Sequence, residues 1–156
     1  MTSYRNLRQL LTGADSVAAI VREGADPLTH AREVRADLYG LRTMLRVADQ
    51  IVKFEVVLEG RIEFLDPGAN DAVCGVPTLT PLDMATRQLL ANSDRWGDDG
   101  VFSRDIIDLA MMNPSLVLLR QAVAKAETAY GQAIRQDVEK ALQRLQTRHG
   151  WLERCM

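Results

Sequence analysis

The sequence predicts a mainly α fold with one small β-hairpin at about residues 51–66, and three observations carry that reading. Apolar residues recur at steps of three and four from Val34 to Val52. A second such series, from Leu116 to Leu152, takes ten steps over 36 residues, the period of a straight α-helix. Between them, the stretch QIVKFEVVLEGRIEFLDPG at 50–68 changes to near-strict alternation. The expected architecture is a long C-terminal helix at about 115–149 packed on a 30–50 helix, in a single α-rich domain covering 1–156.

Taken in order, Ser3 is a candidate cap for a short helix with Tyr4, Leu7, Leu10 and Leu11 on one side, ended by Gly13. A second short helix is expected at 15–23. After a turn at GADPLTH, Thr29 is a candidate N-cap for the 30–50 helix, whose apolar stripe runs through Val34, Leu38, Leu41 and Leu45. Gly40 weakens that pattern without breaking it.

In the alternating stretch, Val52, Phe54, Val56, Leu58, Gly60, Ile62 and Phe64 share one parity, while Lys53, Glu55, Val57, Glu59, Arg61, Glu63 and Leu65 hold the other. A helical stripe of Ile51, Phe54, Leu58, Ile62 and Leu65 is the rival. It scatters Val56, Val57 and Phe64 and puts Gly60 in mid-helix, so strands are favoured. A three-residue loop, Glu59-Gly60-Arg61, keeps both faces consistent by pairing Leu58 with Ile62 and Val56 with Phe64.

Residues 67–80 read as loop. Thr80-Pro81-Leu82-Asp83 is a helix start with Pro at its first position and an acid in its first turn. Ser103 is expected to cap a short helix to about Met112, and Asn113-Pro114-Ser115 resets the chain. If unbroken, residues 115–149 would reach roughly 50 Å, against a diameter of about 40 Å for a compact chain of this length. The helix must therefore bend, with Gly131 the natural place, or be covered by a partner.

Composition narrows the function classes. The 156 residues are 47% hydrophobic and 26% charged with a net charge of −2, typical of a folded globular protein. Arg outnumbers Lys sixteen to three, which coding bias explains more simply than recruitment of guanidinium groups. Charge is uneven: residues 1–48 carry +2, 49–105 carry −6 and 106–156 carry +2. Any polyanion site must rest on a local patch. Cys74 and Cys155 are far apart and have no histidine cluster, which suggests neither zinc nor a disulfide framework. The N-terminus lacks the apolar run of a signal peptide, and no apolar run is long enough to span a membrane. A cytoplasmic protein is expected.

The most informative charge pattern lies in 30–50. On a helix, Arg32, Arg35, Arg42 and Arg46 would fall within about 80° of one another, with Tyr39 among them. Such a face suits phosphates, or an acidic protein surface, or plain solvent. The Asp94–Asp99 loop gathers carboxylates and glycines, but its spacing departs from a Ca²⁺ loop and turn chemistry accounts for it. Trp96 either plugs the core or docks on a partner. Neither His30 nor His149 has a Cys or Ser close in sequence, and no G-x-S-x-G, phosphate-binding loop or G-x-G-x-x-G occurs.

No catalytic residue, cofactor or metal ligand is therefore assigned. The leading expectation is a non-enzymatic structural or adaptor subunit of a bacterial or phage assembly, acting as a homo-oligomer and through another protein. Its candidate partner-binding residues are Arg32, Arg35, Tyr39, Arg42, Arg46, Phe54, Val56, Leu58, Ile62, Phe64 and Trp96. The alternatives are a small nucleic-acid-binding regulator using the Arg face and an enzyme with a site at the Asp-rich loop.

Overall fold

The computed structural model describes residues 4–13, 16–21 and 23–155. It combines helices with a small antiparallel sheet, and the chain divides into two compact units, Met1–Gly60 and Arg61–Met156.

The first unit is a three-stranded meander with a short helix. Helix α1 spans Tyr4–Thr12 and buries Leu11; the expected Ser3 cap lies outside the described residues. Of the helix expected at 15–23, Ala18–Ile20 forms a single 3-10 turn, while residues 14, 15 and 22 lie outside the described residues. Strands β1 (Thr29–Ala36), β2 (Gly40–Val47) and β3 (Gln50–Val57) follow in antiparallel order β1-β2-β3.

The 30–50 helix is thus overturned. Its steps of three and four arise from a strand pair interrupted by bulges and a turn. Within β2, Leu41, Thr43 and Leu45 are buried and alternate with Arg42, Met44 and Arg46. Leu41 and Leu45 are four apart, so they satisfy a helical stripe and a strand face equally well. Leu38, which a helix would bury, is 79% exposed in the β1–β2 turn. That turn is stabilised by Asp37, whose carboxylate accepts from the amides of Tyr39 and Gly40.

The hairpin centred on 59–61 is also corrected. Residues 50–57 are extended, as the alternation implies, but their partner lies upstream. A two-residue Ala48-Asp49 turn sets Leu45 opposite Val52, Thr43 opposite Phe54 and Leu41 opposite Val56. This register keeps apolar residues on one face, the demand that the downstream loop was meant to satisfy. Residues 58–66 form no strand. Ile62 instead packs against the helical core and Phe64 lies beneath the Lys125 ammonium.

In the second unit, a two-stranded ribbon of β4 (Ala72–Val73) and β5 (Val76–Pro77) occupies the expected loop. Helix α2 (Pro81–Arg95) is the hub, packed against α3 (Arg104–Met111), α4 (Leu116–Tyr130) and α5 (Ala133–Thr147). A short α6 (Trp151–Cys155) ends the chain. Thr80 caps α2 by accepting from the Asp83 amide, and Ser115 caps α4 by accepting from Leu118. Ala85, Ala122, Ala126 and Ala141 are buried with Leu89, Leu90, Ile106, Leu109 and Ile134, and the small side chains let the helices approach closely. Ser103 does not cap α3; its hydroxyl accepts from the indole of buried Trp151.

The 115–149 helix is two helices. Gly131 takes φ +59°, ψ −147° between α4 and α5, a region that side chains exclude. The overhang expected of an unbroken helix therefore does not arise, and α4 and α5 pack on α2 rather than on a 30–50 helix.

Candidate binding face

The sheet of the first unit has two unlike faces, and the register determines which residue lies on each. Directly opposed residues of an antiparallel pair point the same way. Leu41, Thr43 and Leu45 face inward, where Leu11, Val17, Ile20, Val34 and Phe54 join them around a cavity of about 10 Å³. That volume holds a single water at most. The outer face carries Arg42, Met44 and Arg46 from β2, and Ile51, Lys53, Glu55 and Val57 from β3.

Strand β1 adds Arg32 and Arg35 to this outer face only because it is irregular. The two are three residues apart, and a regular strand would place them on opposite sides. A register shift between them sets Arg32 opposite Met44 and Arg35 opposite Arg42. A second shift, between His30 and Arg32, turns His30 inward opposite Leu45. Extra residues of this kind re-aim the side chains that follow.

A partly buried polar relay links the irregular segment to β2. Thr43 Oγ1 donates to the Arg32 carbonyl at 2.6 Å, so its 3.2 Å contact with His30 Nδ1 requires the imidazole to donate. His30 Nε2 lies 2.8 Å from the hydroxyl of buried Ser16. The fold thus gives His30 a serine neighbour that sequence proximity did not reveal. Both ring nitrogens meet hydroxyls rather than a carboxylate, which is not the arrangement that activates a serine nucleophile. The relay acts as a strut that holds the Arg32 backbone.

Five cations thereby share one exposed face: Arg32, Arg35, Arg42, Arg46 and Lys53. Arg42 pairs with Asp37 at 2.9 Å and approaches Glu55 at 3.6 Å, while Lys53 meets Glu55 at 2.9 Å. The Tyr39 amide, with Arg42 and Gly40 also contributing, holds the Asp37 carboxyl below its ordinary range. Among the described residues Arg32, Arg35 and Arg46 make no ion pair. Residues 1–60 contain eight basic and eight acidic side chains, so this is segregation of charge within a neutral unit.

The other sequence candidates are placed elsewhere. Tyr39 stands 71% exposed at the β1–β2 turn, and Leu58 is exposed beyond β3. Phe54 and Val56 are half-buried on the inner face. Ile62, Phe64 and Trp96 are half-buried in the helical unit, where Ile62 and Trp96 pack on its core and Lys140 covers the indole at 5.1 Å. The carboxylates of the Asp-rich loop are engaged locally. Asp98 accepts from the Gly100 amide, Asp99 pairs with Arg144 and Arg148, and Asp94 accepts from the Tyr130 hydroxyl. Among the described residues no group of three or more His, Cys, Asp or Glu is placed to hold a metal ion, and no helix is long and apolar enough to cross a membrane.

Lys53 was missed from sequence, because its place on the face follows from the β2–β3 register. No family model, curated protein or solved structure matches the chain.

Proposed function

We propose that the protein is a nucleic-acid-binding protein whose working surface is the outer face of the β1–β3 sheet. One observation carries this reading: five cations converge on that face, three of them without an ion pair among the described residues. A guanidinium fork matches phosphate geometry through two parallel hydrogen bonds, and four of the five cations are Arg. The sequence alternative of an Arg-rich regulator is thereby moved from a helix face to a sheet face.

The test is fluorescence anisotropy of a labelled oligonucleotide across salt concentrations of about 50 to 200 mM. With three to five phosphate contacts, the log–log salt slope should lie between about −2 and −4. Replacing Arg32, Arg35 and Arg46 together by Ala should flatten that slope and weaken binding uniformly across sequences. Absence of binding at the lowest salt would refute the assignment.

A second reading is a structural or adaptor subunit working through protein contacts as a homo-oligomer. It is favoured by an apolar groove of about 430 Å³ between α3, α4 and α5, lined by Leu109, Pro114, Leu119, Val138 and Leu142. Light scattering over a concentration series tests it; a monomer throughout would rule out self-association.

A further inference from the structure

We infer that two copies of this chain join edge to edge through β3, antiparallel and centred on Phe54, so that two three-stranded sheets become one. The pairing uses the rim of the sheet and holds whatever ligand the outer face takes. Among the described residues β3 has β2 on one side and no strand on the other. The two rims differ. Strand β1 carries two register shifts, and irregularities of this kind blunt an edge against further pairing. Strand β3 runs beside β2 in unbroken register from Gln50 to Val57 and contains neither Pro nor Gly. It is the edge that stays open to another strand.

Backbone direction limits the registers available. The Leu58 amide donates to the Tyr39 carbonyl, on the β2 side, and amides alternate in direction along a strand. The amides and carbonyls of Ile51, Lys53, Glu55 and Val57 therefore point out of the open edge. Only registers that set these residues opposite one another can exchange hydrogen bonds.

The side chains select among those registers. Centring on Phe54 sets Lys53 opposite the second copy's Glu55, Ile51 opposite its Val57 and Val52 opposite its Val56, and two-fold symmetry repeats each pair. Centring on Lys53 opposes two lysines and sets Ile51 against Glu55. Centring on Glu55 opposes two glutamates and sets Lys53 against Val57. Like charges directly opposite are destabilising, whereas opposite charges and apolar pairs stabilise a sheet. The Phe54-centred register alone sets Lys53 against Glu55.

The apolar residues that this pairing covers are uncovered in a single copy. Ile51 and Val57 are 54% and 56% exposed on the outer face. On the inner face Val52 is 44% exposed although Leu45, opposite it, is buried, so burial stops one strand short of the edge. Directly opposed residues point the same way, so both cationic faces fall on one side of the joined sheet.

Sedimentation equilibrium of the full chain over a concentration series should show a monomer–dimer equilibrium. Lys53→Glu and Glu55→Lys should each weaken self-association by about tenfold or more, because each sets like charges opposite one another twice. An equimolar mixture of the two variants should recover the dimer, since each offers the charge that the other lacks. Loss of the 2.9 Å contact between Lys53 and Glu55 within one chain cannot give that recovery, because both variants lack it. Circular dichroism spectra matching the parent confirm that both surface variants fold.

A monomer at every concentration overturns this inference and leaves the nucleic-acid assignment standing. A dimer indifferent to both reversals, or variants that stay monomeric when mixed, overturns it as well. Absence of oligonucleotide binding removes the nucleic-acid assignment and leaves the dimer untouched.

Discussion

Lys125 on α4 reaches Asp83 on α2 with its ammonium 2.5 Å from a carboxylate that is fully buried. The other Asp83 oxygen accepts from the Leu65 amide at 2.8 Å and the Thr80 hydroxyl at 3.0 Å. One side chain therefore ties the α2 start, α4 and the chain at Leu65 together.

Breaking that pair by Asp83→Asn should destabilise the helical unit by about 3 kcal/mol, because the lysine loses its counter-charge in a largely desolvated site. Trp96 and Trp151 are the protein's two tryptophans and both lie in that unit, so urea unfolding followed by tryptophan fluorescence reads it directly. A loss below about 1 kcal/mol would show the pair to be dispensable.

The same carboxyl sets an acid sensitivity. Burial pushes Asp83 up, but hydrogen bonds from Lys125, Leu65 and Thr80 outweigh it and hold the folded-state value below the ordinary one. A depressed folded pKa gives stability that is complete above the unfolded value and fades as pH falls through the folded value. Asp137, held low by Ser93 and Lys140 against its own burial, adds in the same direction. Fluorescence-detected stability should thus fall below about pH 4, and Asp83→Asn should flatten that fall.

Gly131→Ala should cost about 2 kcal/mol through backbone strain alone, since nothing lies within 4 Å of the added Cβ. The measurement is again fluorescence-detected urea unfolding. An unchanged midpoint would mean that the α4–α5 junction relaxes readily into another conformation.

Thr43→Val removes the donor to the Arg32 carbonyl and the acceptor for His30 while keeping the shape of the side chain. Two partly buried hydrogen-bonding groups lose their partner, at a cost of about 1 kcal/mol. Amide hydrogen exchange should speed up across β1 and β2, with the helical unit unaffected, and Thr43→Ser should restore protection. Oligonucleotide binding should weaken with Thr43→Val, because Arg32 loses its fixed backbone.

Local chemistry was legible where it acts over a few residues. Thr80 with Pro81, Ser115, Gly13 and Gly131 mark helix limits, and the alternation of 50–57 marks a strand. The Arg set was also legible as one surface, though for the wrong reason. Steps of three, seven and four between Arg32, Arg35, Arg42 and Arg46 match one side of a helix. They equally match one side of a sheet when a bulge supplies the three, a turn lies within the seven and strand parity gives the four.

The sequence by itself thus determined the Thr80-capped start of α2, the extended character of 50–57 and the grouping of four arginines. Only the tertiary structure decided that 29–47 is a strand pair, that β3 joins it upstream, and that Lys53 shares the outer face with the arginines. The physical reason is that strand partners are chosen by non-local hydrogen bonding. A one-residue bulge reverses every side chain beyond it, and the period of a single segment carries no record of either.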